Sequence, residues 1–177
     1  FYASADYYLG KAIVLNASFR TDGSSNFGNK RQFNPTWSAG AAWHLGEEEW
    51  MKRSLPAVSH ATLRAAFGYT GEVNTSTTHL MVIRYLQQQY RYFGEQTFNL
   101  GTLPSAPNPN LGWEKTMDAK AGLDFGLWKE RLNVNAEYYY RLSTDVVTSS
   151  QVQSTSGFTY VNFNSADIMN TDRKSVV

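Results

Sequence analysis

The chain offers few residues whose types and spacing could support catalysis or metal binding. Its three histidines are His44, His60 and His79, and no two have the i, i+2 or i, i+4 spacing of a metal site. It has no cysteine, which excludes a disulfide, a thiolate metal site and a cysteine nucleophile. No Gly-x-Ser-x-Gly elbow, Walker loop or dinucleotide fingerprint occurs. We therefore expect a protein that is not an enzyme and that holds no cofactor or metal ion.

A binding function has better support, from a polar and aromatic stretch near the middle of the chain. Three consecutive glutamines at 87–89 lie among Tyr85, Tyr90, Arg91 and Tyr92. Aromatic rings stack on sugars and peptides, while amide and guanidinium groups form hydrogen bonds with them. The tyrosines and the arginine are therefore the candidate substrate-binding residues. A loop hairpin that packs on itself explains the same composition equally well.

Acidic residues recur at even positions further along the chain, as Glu114, Asp118 and Asp124. Paired carboxylates on one face are typical of glycoside hydrolases, which use one as an acid and the other as a base or nucleophile. Lys120 lies between them at the same parity, which favours a ladder of opposite charges on a polar strand face. We favour the ladder, and a glycosidase is the enzymatic alternative.

The elements that must position these residues are strands. Apolar and polar residues alternate in five runs, the pattern of strands that have one apolar face. In four runs the apolar residues occupy odd positions, at 13–19, 33–45, 61–69 and 117–127. In the fifth run, at 132–140, they occupy even positions. Because facing follows strand register, the even-length turn before the fifth run returns its apolar residues to the same face.

The length of these runs favours a membrane barrel over a soluble sheet. Globular strands average about five or six residues, whereas a tilted transmembrane strand needs about 9–11. Connections also alternate in size, with tight turns at 9–11 and 128–131, a short helical turn within 47–59, and a long stretch at 72–112. The predicted fold is all-β, a segment of an antiparallel transmembrane β-barrel with long extracellular loops. A soluble β-sandwich is the alternative, because its buried face would alternate in the same way.

Composition agrees with a barrel and excludes several other classes of protein. Aromatic residues make up 15% of the chain, yet its mean hydropathy is -0.44, because only alternate residues of a barrel strand must be apolar. The net charge of +1 gives no basic surface for nucleic acid. No apolar run approaches the length of about 18 residues that a spanning helix needs, and the first residues show no signal-peptide pattern.

Several strings of this sequence fit an ordered set of motifs. RTDGSSNFG at 20–28 matches R-x-D-G-S-S-x-F-G, and NPNLGWEKT at 108–116 matches N-P-x-L-x-W-E-K-T. The string at 63–71, LRAAFGYTG, resembles L-R-x-S-x-G-x-T-G-N, although Glu72 stands in place of the final asparagine. Shorter matches follow in the same order, so the chain over nearly its whole length resembles the SusC/RagA-like TonB-dependent outer-membrane transporters of Bacteroidetes-type bacteria.

The resemblance implies a large β-barrel that is filled by an N-terminal plug and covered by a SusD-like surface lipoprotein. Such a transporter lies in outer-membrane lipid and imports oligosaccharides or peptides with energy from TonB. We expect residues 1–177 to be part of a single β-barrel domain, with the plug and the remaining strands absent from this sequence. The alternative function is that of a soluble β-rich carbohydrate-binding module.

Overall fold

The computed structural model describes residues 1–28, 32–55, 57–92 and 96–176, with the backbone only for 86–92, 96–100, 154 and 176. No helix in these ranges is long and apolar enough to cross a membrane. The strands are β1 (Tyr2–Leu9), β2 (Ile13–Gly23), β3 (Phe33–His44), β4 (Val58–Glu72), β5 (Arg84–Tyr92), β6 (Gln96–Thr102), β7 (Ser105–Ala106), β8 (Glu114–Leu127), β9 (Leu132–Gln151) and β10 (Tyr160–Val176). The helices are α1 (Glu49–Ser54) and the 3₁₀ turns Leu45–Glu47 and Ser154–Ser156.

Eight strands form one sheet in the order β1-β2-β3-β4-β8-β9-β10-β7, and β5 and β6 form a separate hairpin. All pairs are antiparallel except the short contact between β7 and β10. The predicted all-β, antiparallel fold is therefore confirmed. The β-sandwich alternative is wrong, because a sandwich divides its main strands between two packed sheets. Within the described residues the sheet does not close, since β1 is paired on one side only.

The five alternating runs are strands β2, β3, β4, β8 and β9, as predicted. The alternation pattern missed β1, β10 and the short strands β5, β6 and β7 within the long connection. β1 has tyrosines at both parities, which hides its apolar face. β10 changes register on both sides of Ala166, so that no single parity runs along the strand.

The strand register gathers apolar residues on one face of the sheet. Ala41 pairs with Leu15 on one side and with Ala65 on the other. Ala121 pairs with Ala65 and with Tyr138. Residues that pair directly across antiparallel strands lie on the same face. Because Tyr138 stands at an even position, the predicted change of parity in the fifth run is confirmed.

The connections at one end of the sheet are longer on average than those at the other, as predicted, although 45–57 is longer than 24–32 and 152–159. The short-connection end holds 10–12, 45–57 and 128–131, and the long-connection end holds 24–32, 73–113 and 152–159. The predicted helical turn is α1. The turn at 128–131 closes through the backbone N–H of Arg131, which donates to the carbonyl oxygen of Leu127 over 3.1 Å. Its Trp128, Lys129 and Glu130 have φ of 50°, 58° and 66°, which reverses the chain in four residues.

The sheet has no protein core on its apolar face within the described residues. Leu15, Trp37, Leu63 and Leu123 on that face are 40–43% exposed. The buried apolar side chains lie at the ends of the sheet instead: Phe27, Leu111 and Trp113 at the long-connection end, and Met51 and Ala61 at the short-connection end. An apolar sheet face that no protein covers is unfavourable in water and favourable in lipid.

Candidate functional site

The polar face of the sheet carries a network of charges that ties neighbouring strands together. Nη2 of Arg64 on β4 lies 2.8 Å from Oδ2 of Asp124 on β8. The same nitrogen lies 3.7 Å from Oε1 of Glu137 on β9. The side-chain amide of Asn135 also donates to Asp124. One arginine thus links three strands across the polar face.

A second set of pairs lies on the same strands, closer to the long-connection end. Nε and Nη2 of Arg141 donate to the two carboxylate oxygens of Asp118 over 2.8 and 3.2 Å. Oε1 of Glu114 accepts a hydrogen bond from the backbone N–H of Val147 at 3.0 Å. The predicted ladder is therefore matched in part: Asp118 and Asp124 pair with arginines on neighbouring strands, whereas Glu114 accepts from a backbone N–H and Lys120 forms none of the described ion pairs.

The polar face also holds a groove with a volume of about 420 Å³. Gly40 and Gly122 line it together with the charged residues Arg64, Lys120 and Glu137. The glycines leave room because they project no side chain into the groove. Lys120 forms none of the ion pairs among the described residues. A groove of this kind suits hydroxyl, carbonyl or carboxylate groups, from a ligand or from another segment of protein.

The long-connection end contains a small core that we name the loop cluster: Phe27, Leu111 and Trp113, with Val73 and Val147 packed against them. Phe27 and Leu111 are fully buried, and Trp113 is 8% exposed. The rings of Phe27 and Trp113 lie 5.4 Å apart, centroid to centroid, with a tilt of 51°. These distances are typical of a favourable aromatic pair.

The loop cluster joins the two strings that carry the family resemblance, 20–28 and 108–116. A side chain at Gly28 would collide with the carbonyl oxygen of Pro109, so the two segments approach as closely as they do only because residue 28 is glycine. The indole N–H of Trp113 donates to the carbonyl oxygen of Gln32 over 3.2 Å. Sequence reasoning noted both strings but missed their contact. The sequence feature that could have predicted this contact is the presence of apolar residues within otherwise polar connections.

Backbone hydrogen bonds fasten the long connection to this core. The N–H of His79 donates to the carbonyl oxygen of Asn26 over 3.0 Å, and Nδ1 of His79 lies 3.0 Å from the same oxygen. The N–H of Asn108 donates to the carbonyl oxygen of His79 over 3.2 Å. Nδ2 of Asn108 in turn donates to the carbonyl oxygen of Asn162 over 2.8 Å. His79 and Asn108 therefore link two connections, 24–32 and 73–113, with the start of β10.

The other histidines lie far from His79 and have structural partners. Nδ1 of His44 lies 3.1 Å from the hydroxyl oxygen of Thr62 on the neighbouring strand. His60 packs against Gly126. Among the described residues, no group of three or more histidine, aspartate or glutamate side chains could hold a metal ion.

The predicted binding residues lie together on one strand of the β5–β6 hairpin. Tyr85 is 69% exposed. Tyr90, Arg91 and Tyr92 occupy the end of β5, where their backbones pair with β6, and their side chains lie outside the described set. The structure thus brings the four residues into one element at the long-connection end. Their role in binding stays a prediction.

Comparison with known proteins agrees with this geometry. The family model "TonB dependent receptor-like, beta-barrel" matches residues 1–170. TonB-dependent receptor P39 of Formosa agariphila is 30% identical over 169 residues, which cover 96% of this chain and 16% of that protein. TonB-dependent receptor SusC of Bacteroides thetaiotaomicron is 30% identical over 156 residues, which cover 86% of this chain and 15% of that protein. The chain thus spans about one sixth of the length of these relatives.

A solved structure has the same fold. The RagAB peptide transporter superposes with a TM-score of 0.81 at 22% identity, over 98% of this chain and 19% of the transporter chain. The apolar face, the polar face and the unequal connections are the features of a barrel wall. With the family match over residues 1–170, they show that the chain belongs to the TonB-dependent receptor β-barrel family, as a barrel segment of the SusC/RagA-like kind.

Proposed function

We propose that this chain forms part of the wall and outer mouth of an outer-membrane transporter that imports oligosaccharides or peptides with energy from TonB. The observation that carries the proposal is the division of one sheet into an uncovered apolar face and a polar face with paired charges. In a barrel the first face contacts lipid and the second lines the lumen. We further propose that residues 1–177 belong to a single barrel domain and that the protein is not an enzyme.

We assign substrate binding to the β5–β6 hairpin, through Tyr85, Tyr90, Arg91 and Tyr92. The hairpin lies at the long-connection end, which is the outer side of the membrane in this proposal. Tyr85 is exposed and therefore able to stack on a sugar ring or a peptide. The hydrogen bonds of His79 hold the chain shortly before β5, so the base of the hairpin is fixed. The RagAB relative is named as a peptide transporter, which supports peptides as one of the two substrate classes.

A SusD-like lipoprotein is the proposed partner at the same end. Four consecutive apolar residues lie just before β5: Leu80, Met81, Val82 and Ile83. Their side chains are between 48% and 59% exposed. A run of exposed apolar residues beside a binding segment is typical of a protein contact. The lipoprotein would cover this run when it closes over the substrate.

Uptake by cells that produce the complete transporter tests the proposed function. Labelled oligosaccharides and labelled peptides are offered separately, and we expect one class to accumulate. Accumulation should stop when TonB is deleted and should fall when Tyr90, Arg91 and Tyr92 are all replaced by alanine. Tyr8→Ala is the matched control, because Tyr8 is 68% exposed but lies on β1 near the short-connection end.

Each outcome bears on a separate part of the proposal. Accumulation of neither class, or accumulation that persists without TonB, would contradict the transport function. Full uptake by the triple alanine variant would contradict only the assignment of substrate to the hairpin. A fall that Tyr8→Ala shows as well would indicate general damage to the barrel and would also count against the hairpin.

A further inference from the structure

The connection between β3 and β4 differs from the tight turns at the short-connection end. It contains the 3₁₀ turn Leu45–Glu47 and then the helix α1, Glu49–Ser54. The turn between β8 and β9, by contrast, needs only four residues. Because a helix is not required to reverse the chain, we ask what the exposed side of α1 contacts.

Two contacts place this connection beside the apolar face of the sheet. The indole N–H of Trp43 donates to Oε1 of Glu48 over 3.3 Å, and Trp43 pairs with Leu63 on the apolar face. Gly46 lies against the backbone of Ala61, where an added Cβ would be 3.2 Å from the nitrogen. Ala61 is only 2% exposed, unlike the large residues further along the same face. The connection therefore folds onto the outward side of the sheet and not across the lumen side.

The helix itself is amphipathic. Met51 is buried, whereas Trp50 and Leu55 are 52% and 49% exposed. Successive helical residues are about 100° apart, so Trp50 and Met51 lie on the side of α1 away from its charged residues, with Ser54 between them. Leu55 follows as the residue that caps the end of the helix. The charged residues of the helix share the remaining arc: Glu49, Lys52 and Arg53. Met51 thus anchors the helix, and its two apolar neighbours are left uncovered by the described chain.

Ion pairs neutralise the charged arc. Nζ of Lys52 lies 3.1 Å from Oε2 of Glu47, and Nη2 of Arg53 lies 3.2 Å from Oε2 of Glu49. All four side chains are more than half exposed. Such an arc suits the polar headgroup region, where long basic side chains keep their charge in contact with water.

A neighbouring turn adds a further exposed tryptophan at the same level. The N–H of Trp128 donates to the carbonyl oxygen of Ala57 over 2.9 Å, and the N–H of Glu130 donates to Oγ of Ser59 over 3.1 Å. These bonds hold the turn between β8 and β9 against the end of the α1 connection. Trp128 is 62% exposed. Tryptophan is enriched where a membrane meets water, because its ring is apolar and its N–H is polar.

We propose that α1 lies flat in the lipid headgroup region at the short-connection end, with Trp50 and Leu55 inserted at the boundary with the acyl chains. The occupant of this surface is phospholipid, because Gly46 and Glu48, just before the helix, contact Ala61 and Trp43 on the face that meets lipid in the proposed function. The helix is thus an interfacial anchor that fixes the depth of the barrel wall in the membrane. The inference rests on the outer-membrane location proposed above.

Depth-dependent fluorescence quenching tests the anchor in the complete protein reconstituted into phospholipid vesicles. Because residues 1–177 contain no cysteine, single cysteines can be introduced into this chain and labelled with a small environment-sensitive dye, on a background without other reactive cysteines. The test positions are Trp50→Cys and Leu55→Cys, both at exposed sites. Glu49→Cys on the charged arc and Ala65→Cys on the apolar face of β4 are the controls. Quenchers are iodide in water and phospholipids that carry a nitroxide near the headgroup or near the chain end.

We expect the labels at residues 50 and 55 to be quenched about twofold more by the shallow nitroxide than by the deep one, and weakly by iodide. The label at residue 49 should respond mainly to iodide, and the label at residue 65 mainly to the deep nitroxide. Strong iodide quenching at 50 and 55 would place the helix in water and overturn the anchor. If neither iodide nor either nitroxide phospholipid quenches the labels at 50 and 55, protein covers the helix, and the proposed anchor is also overturned. If residue 65 responds to iodide alone, the proposed membrane location fails first.

Discussion

The apolar side chains of the sheet are exposed, whereas those of the loop cluster are buried. Leu63 and Leu123 on the sheet are 43% and 40% exposed, whereas Phe27 and Leu111 in the loop cluster are fully buried. In water the hydrophobic effect gathers apolar side chains into a core, as it does in the loops. In lipid that driving force is absent, and backbone hydrogen bonds between strands hold the structure together. In the proposed membrane location, one chain therefore contains two regions that are stabilised in two different solvents.

The difference extends to what holds each region in place. The sheet depends on long, regular ladders of backbone hydrogen bonds. In the uninterrupted ladder between β8 and β9, the pairs run from Lys115–Thr144 to Leu127–Leu132. The loop cluster depends on a few side chains and on single hydrogen bonds through His79 and Asn108. Loss of one partner strand should therefore damage the sheet as a whole, whereas a point substitution should suffice to open the loop cluster.

The largest effect is expected when the sheet loses the strands beside it. Residues 1–177 produced alone should not form a stable folded monomer in detergent or lipid. The outer edge of β1 would leave unpaired backbone groups in hydrocarbon, and each costs several kcal/mol. Gel migration with and without heating, together with circular dichroism, measures the outcome, with the complete protein as control. A monomer that migrates faster unheated and shows a β-sheet spectrum would contradict this prediction.

A point substitution should open the loop cluster. Phe27→Ala removes a fully buried ring that lies 5.4 Å from Trp113, and we expect it to cost about 3–5 kcal/mol of local stability. Limited proteolysis of the long connections under native conditions reports this loss. Phe33→Ala is the matched control, because Phe33 is 72% exposed and should leave the cleavage rate unchanged. Equal cleavage of the two variants would mean that the cluster does not stabilise the loops.

A charge on the apolar face of the sheet should be costly. Leu63→Arg is expected to destabilise the complete barrel by roughly 2–4 kcal/mol, because the guanidinium group would face lipid near mid-strand. Thr62→Arg, on the opposite face, loses only a hydrogen bond with His44 and should cost about 1 kcal/mol or less. Urea unfolding in lipid vesicles measures both values. Similar costs at the two positions would remove the distinction between the faces.

Stability alone does not distinguish lipid from a protein core, so a labelling experiment sharpens the same prediction. In the complete protein, a cysteine at Ala65 or Ala121 should react with a lipid-soluble probe and resist a water-soluble one. A cysteine at Thr62 or Lys120 should show the opposite preference. If the first two positions resist both probes, protein covers the apolar face and the membrane assignment is wrong.

The smallest effect on stability is expected on the polar face, where the charged side chains are partly exposed to solvent. Arg64 and Asp124 are 48% and 27% exposed, and such an ion pair contributes about 0.2–1 kcal/mol. A double-mutant cycle with Arg64→Gln and Asp124→Asn should give a coupling energy in this range, falling as salt is added. Ser18→Ala, which removes a polar partner of Ser38 elsewhere on the face, is the control for nonspecific change. A coupling of several kcal/mol would show that this face is buried in protein.

Much of the sheet could be predicted from the sequence, because alternating apolar and polar residues point to opposite faces of a strand and so identify its apolar face. The change of parity between Leu127 and Leu132 followed from the length of the turn, and these two residues do pair. The shared face of Asp118, Lys120 and Asp124 followed in the same way, although the described ion pairs join both carboxylates to arginines and not to Lys120. The register shifts in β10 interrupt this alternation, which is why that strand was not predicted.

The candidate site was only partly visible in the sequence. The tyrosines and the arginine of β5 stood out by composition, and the hairpin that holds them did emerge. The partners Arg64 and Arg141 of the acidic ladder were not predicted, because each lies on another strand. The role of His79 was missed for a similar reason, since its partners Asn26 and Asn108 are distant in the sequence.

The sequence by itself determined the five alternating strands, their faces and the unequal average lengths of their connections, because each of these depends on residues that are close together in the chain. Only the tertiary structure decided that the strings at 20–28 and 108–116 meet in one core, and that the 3₁₀ turn before α1 packs against Ala61 on the apolar face. Those contacts join residues that are far apart in the chain. They depend on strand order and twist, which local periodicity does not encode.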